Sequence, residues 1–164
     1  MRKAVFNSTT GGMRVAFSSL DEILAFAVVR EEEAAALYAE MAGKAGTDSL
    51  RVLLGDLEAE ERRHKVLLEK LRAGAPVPSV GSPVPDLGLT DGLTAESAEP
   101  AGSAQDVLII AARKEARAAD LYGRLAAAAA DSEARNLFEY LVRQELRHKF
   151  RLENEYESRV LPED

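Results

Sequence analysis

Two histidines occur in the chain, His64 and His148, and each sits in the same short frame: Glu61-Arg62-Arg63-His64-Lys65 and Glu145-Leu146-Arg147-His148-Lys149. A Glu and a His three residues apart project from one face of a helix, so each frame offers a carboxylate and an imidazole in one direction. Oxygen and nitrogen donors grouped in this way suit divalent transition metals. One such pair would signify little, because Glu is abundant here and a lone His is more often a satisfied core residue. Its recurrence, using all the histidine in the chain, makes coincidence a poor explanation.

The two frames are 84 residues apart, and the same offset relates much of the chain. It pairs Ser19 with Ser103, Leu24 with Leu108, Glu31 with Glu115, Tyr38 with Tyr122, Arg51 with Arg135, Leu57 with Leu141 and Leu68 with Leu152, with no gap. Each half reads as two helices. Ser19 with Glu22, and Ser103 with Asp106, have the spacing of capping boxes that open the first and third helices. Turns are expected near Gly46–Asp48 and Ala130–Ser132, where Thr, Asp and Ser can cap the following helix.

In an antiparallel helix pair, residues equidistant from the turn lie at one height. Glu31 and Glu61 have their midpoint at Gly46, and Glu115 and Glu145 have theirs at Ala130. Each half can therefore present Glu, Glu and His at one level. Packing the halves by a pseudo-twofold relation would gather Glu31, Glu61, His64, Glu115, Glu145 and His148 in the interior. Four buried carboxylates need compensation by protons, water or cations, and metal binding there should release protons. Glu32, Glu33, Glu40, Glu58 and Glu69 read as the charged outer face that long helices require.

Between the halves, residues 73–102 gather five prolines, from Pro76 to Pro100, among several glycines, which marks a connector and not a helix. Its length would let it run along a bundle of roughly 40 Å helices as a long crossover. The expected layout is an all-α four-helix bundle over 19–158, built from helix pairs 19–72 and 103–158 joined by the crossover 73–102. An N-terminal extension (1–18) and a tail (159–164) flank it.

Composition narrows the function classes. A chain of 164 residues, 46% apolar and 30% charged, suits one domain. The net charge of −7 and the lack of a basic tract argue against nucleic acid. The absence of cysteine removes disulfides, thiolate zinc sites and cysteine-held iron–sulfur clusters. Residues 1–16 carry Arg2 and Lys3 without a sustained apolar stretch, and the apolar run Val107–Ala112 is broken by Arg113 and Lys114. Neither a signal peptide nor a membrane span is expected, and the expected location is cytoplasmic.

With these residues in place, the chain resembles the ferritin-like superfamily over residues 19–154, and within it the rubrerythrin-related and bacterioferritin-like di-iron proteins. In that superfamily each half supplies a Glu from its first helix and a Glu-x-x-His from its second. This matches Glu31 with Glu61 and His64, and Glu115 with Glu145 and His148, filling all six metal-ligand positions. The resemblance also gives Tyr38 and Tyr122, seven residues beyond Glu31 and Glu115, two readings: core packing, or donors that steady a ligand carboxylate. Glu60 and Gln144 resemble the position that accepts the distal imidazole hydrogen of the opposite His. Three family features are missing: Ala118 stands where rubrerythrins add a Glu, no cysteines exist for a rubredoxin domain, and Arg62 replaces a haem-binding Met.

The resemblance implies two iron ions and no haem, with oxygen or peroxide as substrate and an external electron donor. The function it implies is ferroxidase activity or peroxide or oxygen reduction, in iron handling or oxidative-stress defence. Three alternatives stay open. They are iron storage, which a missing fifth helix after residue 158 weakens; a manganese catalase-like site, since these ligands suit Mn as well as Fe; and a non-enzymatic bundle stapled by metal. Ala-rich helices with few aromatics are expected to complete their cores as a homodimer.

Overall fold

Three of the four helices start at a capping hydroxyl. Ser19 accepts a hydrogen bond from the Glu22 amide at 3.2 Å and opens α1, Leu20–Lys44. Thr47 accepts from the Leu50 amide at 3.3 Å and opens α2, Asp48–Arg72. Ser103 and Asp106 form the full reciprocal box, 3.1 Å in each direction, at the start of α3, Ala104–Ala128. The fourth helix, α4, spans Ser132–Val160. It runs two residues past the expected end at 158, the sequence offering no helix breaker before Pro162.

The computed structural model describes residues 19–75, 103–129 and 132–160. The expected extension 1–18, all of the connector beyond Ala75 up to residue 102, Ala130 and Asp131 of the second turn, and residues 161–164 lie outside the described residues. Among those described the structure is all-α: four helices and no strand. None of the helices is long and apolar enough to cross a membrane.

The helices form two compact units, α1 with α2 and α3 with α4. In the first, Arg72 at the end of α2 donates to both carboxylate oxygens of Asp21 at the start of α1, at 2.8 and 3.0 Å, so the two helices run antiparallel. Their packed faces follow the 3.6-residue period. The buried stripe of α1 runs Leu24, Ala27, Glu31, Ala34, Ala35, Tyr38, Met41; that of α2 runs Leu50, Leu54, Leu57, Glu61, His64, Leu68. The second unit repeats this with Leu108, Ala111, Ala112, Glu115, Ala119 and Tyr122 on α3, and with Leu137, Leu141, Glu145, His148 and Leu152 buried on α4. Each buried leucine contributes about 1.5–3 kcal/mol, and the candidate ligands sit inside these stripes.

The duplication extends to the turns. Arg51 donates to the Ala45 carbonyl at 3.3 Å and Arg135 to the Ala129 carbonyl at 3.1 Å, closing the last turn of the preceding helix in each unit. At the other end of α2, Gly74 (φ 91°) closes a Schellman motif, with Gly74 N–H to Leu71 and Ala75 N–H to Lys70, both 3.0 Å.

Two glycines, Gly55 within α2 and Gly74 just past its end, should respond oppositely to the same change. A Cβ at Gly55 meets nothing within 4 Å and the backbone there is helical. Gly55→Ala should therefore stabilise the protein by about 0.5–1 kcal/mol, whereas Gly74→Ala should cost about 1 kcal/mol because its φ is positive. Urea denaturation of both variants checks the pair of signs.

Candidate metal centre

Height in a hairpin is counted from its turn. Glu31 stands thirteen residues before Lys44, the last residue of α1, and Glu61 thirteen after Asp48, the first of α2. Glu115 and Glu145 stand at the same distance from Ala128 and Ser132. At 1.5 Å per residue the two glutamates of each hairpin reach one level, and the Glu-x-x-His spacing adds an imidazole there.

The result in the first hairpin is a buried triad. Ligand atoms of Glu31, Glu61 and His64 lie within 4.8 Å of one another. His64 Nδ1 is 3.1 Å from Glu61 Oε2 and 3.6 Å from Glu31 Oε2. All three side chains are buried, Glu61 completely. In the second hairpin ligand atoms of Glu115, Glu145 and His148 meet the same 4.8 Å limit, and His148 Nδ1 is 3.7 Å from Glu115 Oε2. All three are buried here too. The structure thus assembles the two expected Glu–Glu–His sets, each within its own hairpin, with the imidazole Nδ1 on the carboxylate side in both.

Burial pushes the Glu31 carboxyl up from its ordinary 4.5 to about 7; the hydrogen bond with His64 opposes that rise and the Glu61 carboxylate adds to it. Burial works to lower the basicity of His64, but Glu31 and Glu61 outweigh it and hold the imidazole above its ordinary 6.5. Near neutral pH the first triad therefore keeps protons that solvated groups would release, in the place where a cation would sit.

Tyr38 and Tyr122 are fully buried one heptad beyond Glu31 and Glu115, on the same stripes. Gln144 is buried, while Glu60 is part-buried with Arg63 at 4.0 Å. Of the acidic residues expected to be solvated, Glu32, Glu33, Glu40 and Glu69 are exposed, and Glu58 is part-buried against Arg62.

Sequence reasoning missed a group of charges at the second triad. Lys149, directly after His148, is buried and paired with buried Glu153 at 3.2 Å. Lys114 Nζ stands 3.9 Å from Glu115 Oε1. Their repeat counterparts face outward: Lys65 bonds exposed Glu32 at 3.0 Å and Arg30 bonds exposed Glu33 at 2.9 Å. The available signal was Ala116, which replaces Glu32 in the second half and removes the surface partner that Lys65 uses.

No family model matches the chain, and no curated protein matches it. It is similar to the solved structure of a hypothetical protein from Pyrococcus furiosus, with 28% identity and a TM-score of 0.61 over 87% of this chain and 90% of that chain.

The raised Glu31 and His64 set a direction for metal-free stability. Between pH 4.5 and about 7 the folded chain keeps the Glu31 proton that the unfolded chain has lost, so the group's contribution falls as pH rises through that window. The contribution of His64 is full below 6.5 and is lost as pH rises through its raised value. Urea midpoints of the metal-free protein should therefore fall from pH 5 to 8 more steeply in wild type than in Glu31→Gln; parallel profiles would contradict the assignment.

Proposed function

We propose that the two Glu–Glu–His triads form one carboxylate-bridged two-metal centre, with iron the preferred metal, in a ferritin-like four-helix bundle whose hairpins are joined by a long crossover. The observation that supports it most is that two hairpins bury the same three ligand types at the same distance from their turns. Neither core packing nor solubility asks for this. A helix stripe that needed only to pack would carry leucine at Glu61 and Glu145, as it does one and two turns earlier at Leu57 and Leu54, and at Leu141 and Leu137.

The donor set fits the ions. Each triad supplies two carboxylates and one imidazole, without sulfur, which suits iron(II) or manganese(II). Together the triads carry four potential negative charges that two divalent cations balance, replacing protons now held at Glu31 and His64. Glu31, Glu61, Glu115 and Glu145 would serve as terminal or bridging ligands, and His64 and His148 as terminal ligands through Nδ1. A pair of ferrous ions held there would provide one electron from each ion for the reduction of dioxygen or peroxide. The flanking leucines exclude water, and Tyr38 and Tyr122 line the stripes one heptad beyond. This reading makes the protein a ferroxidase or a peroxide or oxygen reductase of the rubrerythrin-like type, drawing electrons from an external donor.

Anaerobic loading with iron(II), elemental analysis and a rapid peroxide mix test this directly. Wild type should hold about two irons per chain and oxidise them on mixing. His64→Ala and His148→Ala should each lose at least half of the metal while keeping their helical circular dichroism. Metal retained but unchanged by peroxide would leave a structural staple, and binding indifferent to both histidines would sink the assignment.

A further inference from the structure

In the second hairpin, the last turns of α3 and the first half of α4 line a groove of about 550 Å³. That lies within the range of roughly 300–1,000 Å³ typical of small-molecule sites. Gly123 and neighbouring alanines make its α3 wall, and a Cβ at Gly123 would meet nothing within 4 Å. Val142 and Leu146 provide apolar surface on α4, accompanied by Arg135, Glu139 and Arg143 at successive turns.

The first hairpin acts as an internal control. Eighty-four residues earlier, Val142 and Leu146 correspond to Glu58 and Arg62, which close on each other through two hydrogen bonds of 3.0 and 2.8 Å. Arg143 corresponds to Ala59 and Glu139 to Gly55. Of the α4 lining residues only Arg135 is shared, and like Arg51 it is engaged with the carbonyl that ends the preceding helix. The groove chemistry is therefore not a by-product of the repeat.

Arg143 is the uncommitted cation. Its Nε is buried without a hydrogen-bond partner, and among the described residues neither Arg143 nor Glu139 forms an ion pair. The Arg143 side chain is part-buried and its terminal nitrogens are not among the buried unpartnered atoms, so the end of its guanidinium fork is open to a carboxylate that matches it in shape and charge. Two arginines facing one glutamate leave the groove with a single net positive charge.

We infer that this groove binds a medium-chain monocarboxylate, its carboxylate on Arg143 and its alkyl chain over Val142 and Leu146. Glu139 sets the charge limit, disfavouring dianions. The proposal is independent of the metal centre, since none of these residues is a ligand.

Calorimetric titration of the full-length protein with octanoate tests it, with acetate and octylamine as probes lacking the chain or the negative charge. Octanoate should bind saturably, acetate at least tenfold more weakly, and octylamine not at all. Gly123→Leu fills the groove on a wall with room for it and should abolish octanoate binding, and Arg143→Met should weaken it at least tenfold. The double variant Val142→Glu/Leu146→Arg, which writes the closed pair of the first hairpin into the second, should also abolish it and serves if Gly123→Leu misfolds by circular dichroism. No saturable octanoate binding to wild type, equal binding of octylamine, or binding unchanged in the groove-filling variants overturns the proposal.

Discussion

Taking a carboxylate out of water costs several kcal/mol unless a proton or an opposite charge goes with it. Each hairpin does this twice, at Glu31 and Glu61 and at Glu115 and Glu145. The rest of each unit answers to that cost. Leucines on either side anchor the helices with enough apolar burial to keep the carboxylates inside, and an imidazole stands one turn on. In the first unit the remaining deficit is visible as retained protons on Glu31 and His64. A cation entering such a site displaces protons already in place, so metal affinity, pH and fold stability become one coupled equilibrium.

The duplication separates what the site requires from what each half has been free to change. Common to both are the triads, the buried tyrosines and the arginine that closes each turn. The flanking charges differ. Lys65 spans α1 and α2 on the surface through Glu32, whereas in the second half, where Ala116 takes the place of Glu32, Lys149 pairs along its own helix with Glu153 and is buried with it. A buried ion pair of this sort is weak evidence for stability, because desolvation offsets most of its attraction. Together with Lys114, 3.9 Å from Glu115, it gives the second hairpin an arrangement of charges that the first does not share.

Much of this was legible from residue spacing, because the relevant geometry is local. A three-residue separation fixes a helix face, and equal distances from a turn fix a height, so the triads are legible in the spacing alone. The caps at Ser19, Thr47 and Ser103 were legible for the same reason: a hydroxyl reaches only the nearest free amides. What could not be read depends on which way long side chains turn. Glu69 and Glu153 are repeat mates with similar neighbours, yet one is exposed and the other buried. The groove beside Arg143 was also hidden, since it arises from small residues on one helix meeting apolar ones on another.

The turns deserve to be counted among the parts of the site. Inserting a single residue in α1 between Glu31 and Lys44 would shift one glutamate by about 1.5 Å along the axis and rotate it by about 100°, removing it from its partner's face. Thirteen residues on each side of both turns therefore constitute a shared ruler. The ruler holds only if each helix ends where it should, which is the task of Thr47, accepting from Leu50, and of Arg51 and Arg135, each bonded to the carbonyl at the preceding helix end. By the helical rise of 1.5 Å per residue these residues lie about 15–21 Å along the helix from the triad glutamates that they register. They belong to the site nonetheless, because the register of its glutamates is set at the turn.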